Sequence, residues 1–127
     1  MIKGVVLNET QQVLRALEDS PFESYLTGSR FFGNFRQDSD YDFFVDENIV
    51  PWLIENGFER LPTHNYLDLL TVSVFQKGNV HIQVVKDVVL KSRVQQLIKE
   101  TIPGIYFTFN KTNRSLLWNL VIRATTS

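Results

Sequence analysis

Gly28-Ser29-Arg30-Phe31-Phe32-Gly33, followed by Asp38-Ser39-Asp40-Tyr41-Asp42-Phe43-Phe44-Val45, is the stretch on which the fold turns. A glycine lets the backbone come close to a phosphate, and the amides of a helix opening at Ser29, with the Ser29 hydroxyl, can bind its oxygens. Asp40 and Asp42 are two residues apart, and the period of a strand projects both carboxylates from one face. Two such carboxylates give magnesium charge and oxygen ligands, the rest of its shell coming from water and substrate phosphates. Turn and strand together suit a metal-bound nucleoside triphosphate. Arg30 and Gly33 complete the turn, Arg30 as a candidate for pairing with phosphate or with the acids.

Outward from this stretch, residues 22–27 are aromatic and β-compatible and read as the strand that leads into the turn. Residues 41–45 read as a second strand, nearly continuous in apolar side chains apart from Asp42, as expected where both faces are covered. Upstream, a helix is expected over Glu9–Asp19. Asn8 is its N-cap, Gln11 sits at the capping-box position, and Ser20-Pro21 ends it. Downstream, residues 49–56 read as a helix with Pro51 in the first turn and Gly57 as its left-handed cap, and 58–61 as a short strand.

The clearest hairpin joins residues 69–76 to Val80–Val85 through Lys77-Gly78-Asn79. Residues 87–100 then fit a helix with Val88, Val89, Val94, Leu97 and Ile98 as its buried stripe, closed by Pro103-Gly104. Residues 105–109 look extended, and 112–124 form a last helix with Leu116, Leu117, Leu120 and Val121 inward. This order of elements describes a single α/β domain over residues 1–127, a mixed sheet with helices packed mainly on one face.

At 127 residues, with 43% hydrophobic and 13% aromatic content, the chain can bury a core of its own. With no cysteine, disulfides, zinc-thiolate centres and thiol nucleophiles are excluded. No apolar run approaches the ~20 residues of a membrane helix, so the expectation is a cytoplasmic protein without membrane contact. The net charge of −1 hides a division: residues 1–63 hold 5 Lys+Arg against 11 Asp+Glu, residues 64–127 hold 8 against 3. Folded together, halves of −6 and +5 would set an acidic edge against a basic wall able to meet phosphates.

The glycine turn followed by Ser39-Asp40-Tyr41-Asp42-Phe43-Phe44-Val45 resembles the signature of the DNA polymerase β-like nucleotidyltransferase superfamily, and in size the chain is most similar to its minimal members. The likeness implies a nucleotidyltransferase fold and a magnesium-dependent transfer of a nucleoside monophosphate from a triphosphate such as ATP to a hydroxyl, releasing pyrophosphate. It also implies that Gly28 and Ser29 bind the triphosphate and that Asp40 and Asp42 hold two magnesium ions. The acceptor classes are a protein side chain, a small molecule or an RNA end; some minimal members modify a partner toxin. Family enzymes carry a third carboxylate on a later strand, and the position that aligns with it here is Gln83. A neutral amide can ligate metal through its carbonyl oxygen but lacks the charge.

Asp68 and Asp87 are the nearby acids, though Asp87 is four strand residues from Gln83, about 13 Å. Three arrangements follow: an enzyme with two strong ligands, one using a displaced acid, or a degenerate nucleotidyltransferase fold that senses nucleotides or binds proteins. His64 and His81 have no metal-ligand spacing and read as loop and sheet histidines, His81 sharing the Gln83 face. Phe31, Phe32, Phe35, Phe43 and Phe44 read as core before base-stacking platform. Lys86, Lys91, Arg93 and Lys99 on one helix, with Lys111, Arg114 and Arg123 at the chain's end, read as solvated bases able to steer a triphosphate or an RNA backbone.

Overall fold

The computed structural model describes residues 8–62, 67–102 and 104–126. His64 and the Pro103 half of the expected helix stop lie outside these residues. Helix α1 (Glu9–Asp19) begins where the Asn8 side chain accepts from the Gln11 amide at 2.8 Å while the Gln11 side chain accepts from the Asn8 amide at 3.1 Å. That reciprocal pair satisfies two of the amides a helix start leaves open. Strand β1 (Ser24–Thr27) starts two residues later than the composition suggests, because Ser20 Oγ accepts from the Phe22 amide and holds the 20–22 turn.

Next come α2 (Ser29–Phe32), β2 (Tyr41–Asp46), α3 (Val50–Glu55) and β3 (Glu59–Arg60). Residues 47–49, the first two of which lie outside the helix expected over 49–56, form a 3-10 turn capped by Asp46, which accepts from the Asn48 amide at 3.0 Å. Strands β4 (Thr71–Lys77) and β5 (Val80–Val85) form the expected hairpin, with Gly78 at φ +57° in its tip. Helix α4 (Val88–Thr101) follows with Asp87 as N-cap, and α5 (Lys111–Thr126) ends the chain. Between them, Tyr106–Thr108 is a 3-10 turn where an extended segment was expected.

The sheet has the order β1-β2-β5-β4-β3 and is mixed: β2 and β5 run parallel at its centre and the other pairs are antiparallel. Strand alternation divides the central residues cleanly. Val80, Ile82 and Val84 of β5, with Val45 of β2, face Val13 and Leu17 of α1 and Leu53 of α3. Asp42 and Phe44 of β2, paired with His81 and Gln83 of β5, face the other way, under α4 and α5. The helices therefore cover both faces, a correction to the expectation of one. Both faces carry side chains that need cover, Val45, Val80, Ile82 and Val84 on one and the fully buried Phe44 on the other.

Both late helices are rotated from their expected phase. On α4 the buried residues are Lys91, Val94, Gln95 and Ile98, while Val89 and Leu97 lie exposed. On α5 they are Ser115, Trp118 and Ile122, while Leu116 and Leu120 lie exposed; Leu117 and Val121 pack at the margin of the core. Apolar side chains surround much of each helix, so periodicity alone leaves the phase open. No helix among the described residues is long and apolar enough to cross a membrane.

Candidate functional site

The glycine turn and the acidic strand meet because β1 pairs antiparallel with β2, setting Thr27 opposite Asp42. Gly28 follows at φ +67°, and a Cβ placed there would collide with the Asp42 carboxylate. Only glycine satisfies both the backbone angle and that approach. From behind, Gln95 of α4 fixes the turn, donating from Nε2 to the Leu26 carbonyl at 3.0 Å and accepting from the Thr27 hydroxyl.

Asp40 and Asp42 converge as their spacing predicts, and they converge on an imidazole. Nδ1 of His81 lies 3.2 Å from Asp42 Oδ1 and 3.9 Å from Asp40 Oδ2. The Asp42 hydrogen bond and the two negative charges raise the His81 pKa above its ordinary value, against partial burial and the Lys111 charge. By sequence alone His81 is an ordinary sheet histidine. Its pairing opposite Asp42 across the parallel ladder, which sequence does not reveal, makes it the acids' neighbour.

A pocket of about 340 Å³ opens over this cluster, with Gly28, Asp40, Asp42, His81 and Gln83 on one side and Lys111, Arg114 and Trp118 of α5 on the other. The acidic half of the chain thus meets part of the basic half, as the charge division suggests. Ser29, Arg30 and Gly33 are not among its lining residues. Arg30 is committed elsewhere: Nη2 donates to the carbonyls of Ser39 at 2.9 Å and Gln37 at 3.0 Å, and the guanidinium lies 3.7 Å over the Tyr41 ring. It braces the loop that delivers Asp40 and does not face the pocket.

At the pocket floor Gln83 meets a cation. Lys91, 1% exposed, donates from Nζ to Gln83 Oε1 at 2.6 Å, Asp68 Oδ2 at 2.6 Å and Thr71 Oγ1 at 3.0 Å. The same nitrogen lies 5.4 Å from the Phe44 ring and 5.1 Å from that of Trp118. Burial alone would raise the Asp68 carboxyl, but the Lys91 charge and the hydrogen bonds from Lys91, Leu70 and Thr71 hold it below its ordinary value. Burial also pulls Lys91 down against the pull of Asp68. Three oxygens around Nζ use all three protons of an ammonium and would oppose the lone pair of an amine, so the pair is charged. The row of solvated bases expected on α4 loses Lys91 to this interior role. Asp87 caps α4, accepting from the Leu90 amide at 3.0 Å, and is absent from the pocket.

Among the described residues no group of three or more His, Cys, Asp or Glu side chains is placed to hold a metal ion. Asp40 and Asp42 are two carboxylates that could ligate one hard cation only if its remaining ligands came from outside the chain, and both face the His81 imidazole. They do not fit two, since the Gln83 carbonyl oxygen already serves an ammonium and the charge of Asp68 is matched by it. No family model, curated protein or solved structure matches this chain.

Proposed function

We propose that the protein is a magnesium-dependent nucleotidyltransferase of the cytoplasm, adopting a nucleotidyltransferase fold and passing a nucleoside monophosphate from a triphosphate to a hydroxyl. The observation that carries this reading is the contact of Asp42 with Gly28 at the mouth of a pocket that also holds Asp40. A carboxylate pair and a glycine backbone that approach one point can hold a cation and the polyphosphate it neutralises. In the transfer, the acceptor hydroxyl bonds to the α-phosphorus, the bond to the bridging oxygen breaks and pyrophosphate leaves. The hydroxyl proton is released to solvent. Asp40 and Asp42 would hold the cation and Gly28 would meet the triphosphate, while Ser29, given to the triphosphate by the resemblance, lies outside the pocket lining; a bound magnesium ion would supply charge neutralisation. The acceptor is a protein side chain, a small molecule or an RNA end.

A second reading, a nucleotide-sensing or protein-binding module without turnover, is favoured by one observation: where the resemblance implies a third acid, Gln83 is held by Lys91. Titration with ATP and magnesium tests what the two share. The wild-type chain binds and Asp42→Asn weakens binding about tenfold or more, as expected when a charged interaction is lost; unchanged affinity in the variant counts against both. Incubation with labelled triphosphates and candidate hydroxyl acceptors then separates them, since only the enzyme transfers label and releases pyrophosphate.

A further inference from the structure

Helix α5 presents Lys111, Arg114, Ser115 and Trp118 along one face, at the three- and four-residue spacing of a helix, and all four line the pocket. The start of the helix is fixed: the Asn110 side chain accepts from the Asn113 amide at 2.8 Å and the Asn110 carbonyl from the Arg114 amide at 2.9 Å. Ser115 is taken up by the Leu67 carbonyl, to which its hydroxyl donates at 3.1 Å, and Trp118 donates from Nε1 to the Tyr106 hydroxyl at 2.6 Å.

Arg114 is different. Its Nε is buried and has no hydrogen-bond partner among the described residues, and its guanidinium makes no ion pair among them. The guanidinium carbon instead lies 4.8 Å from the Phe107 ring and 5.6 Å from the Tyr106 ring. The buried Nε is closed to the pocket, so a ligand there would be met by the outer guanidinium nitrogens, which make no hydrogen bond or ion pair among the described residues although Arg114 lines the pocket. The two rings restrict the side chain, which lowers the ordering cost of engaging an anion. A guanidinium offers a planar fork of donors that matches phosphate in two bonds at once.

We propose that Arg114 is the phosphate clamp of this pocket, binding the β- and γ-phosphates of a nucleoside triphosphate across from Asp40 and Asp42. The proposal rests on the nucleotide-binding reading given above. It moves the role of the basic partner from Arg30, which is spent on its own loop, to a residue more than eighty positions away in the chain. An anion reaching Arg114 lies opposite two carboxylates, so a polyphosphate bridged to them by a divalent cation suits the site better than a simple carboxylate does.

Calorimetric titration in magnesium buffer of the wild-type chain, Arg114→Met and Arg114→Lys, with ATP, AMP and inorganic tripolyphosphate as probes, tests it. Arg114→Met keeps much of the stem packing and removes the fork. It weakens ATP and tripolyphosphate by about tenfold to a hundredfold and leaves AMP within about twofold. Arg114→Lys keeps the charge and loses the bidentate geometry, so it recovers part of the affinity and serves alone if the methionine variant fails to fold. Binding of ATP and tripolyphosphate unchanged in the folded variants overturns the clamp and leaves the nucleotide reading standing. An equal loss for ATP and AMP overturns it too, because it marks a structural or base-directed role. If the wild-type chain binds none of the three probes, the underlying reading falls and takes the clamp with it.

Discussion

His81 is the residue whose state reports most directly on the site. With Nδ1 beside both Asp42 and Asp40, its imidazolium is stabilised and its folded pKa lies above 6.5. A group raised on folding contributes stability that is fully present below its unfolded pKa and is lost as pH rises through the folded value. In metal-free protein, NMR titration of the imidazole is expected to show a midpoint above 6.5, falling toward that value in Asp42→Asn. Urea unfolding midpoints are expected to decline across the same interval in the wild type and less in the variant. A midpoint that ignores the substitution would mean that the imidazole and Asp42 do not interact in solution.

Helix α5 sets the far wall of the pocket, and its rotation is open to a direct test. Trp118 and Ile122 are buried among Leu70, Val94, Ile98 and Tyr106, with Phe32 edge-on to the indole at 6.2 Å. Leu116 and Leu120 are 61% and 67% exposed on the opposite side. Trp118→Ala and Ile122→Ala are expected to cost about 2–5 kcal/mol each, the transfer energy of the lost side chain plus a cavity. Leu116→Gln and Leu120→Gln are expected to stay within about 0.5 kcal/mol. Urea denaturation of the four variants decides the phase. Large losses at Leu116 and Leu120 would restore the stripe that the sequence suggests.

Across the whole molecule, Lys91 joins pieces that the chain supplies far apart: Asp68 before β4, Thr71 at its start, Gln83 on β5 and Trp118 on α5. Removing the ammonium strands a carboxylate that is 8% exposed, so Lys91→Met is expected to destabilise by about 3–5 kcal/mol. Lys91→Met with Asp68→Leu removes both charges and is expected to recover much of that loss, since apolar replacement of a buried pair is often tolerated. Acid behaves consistently with this. The Asp68 pKa is depressed on folding, so its contribution is present above 3.8 and is lost as pH falls through the lower folded value. Additive single effects in the double-variant cycle would show that the two groups do not couple.

The local signals in the sequence had local causes, and those held. The capping box at Asn8 and Gln11, the Gly78 turn, the strand Val80–Val85 and the convergence of Asp42 with Asp40, which lies just before β2, each follow from residues within a few positions of one another. The amphipathic phase of α4 and α5 was not legible, because apolar residues surround both helices and only the sheet beneath them selects a face. Nor was the placing of His81 beside Asp42, which depends on the register of a parallel pair with α3, β3 and β4 between its strands in the chain. The sequence alone determined the type of every main helix and strand, though not the 3-10 turn at Tyr106–Thr108, together with the glycine turn and the acidic pair. Tertiary structure decided which cations meet them: Arg30 is withdrawn to its loop, Lys91 is buried beneath Gln83, and Arg114 is brought to the pocket wall. Backbone conformation is governed by near neighbours, whereas the partner of a charged side chain is chosen by whatever packing brings within a few ångströms of it.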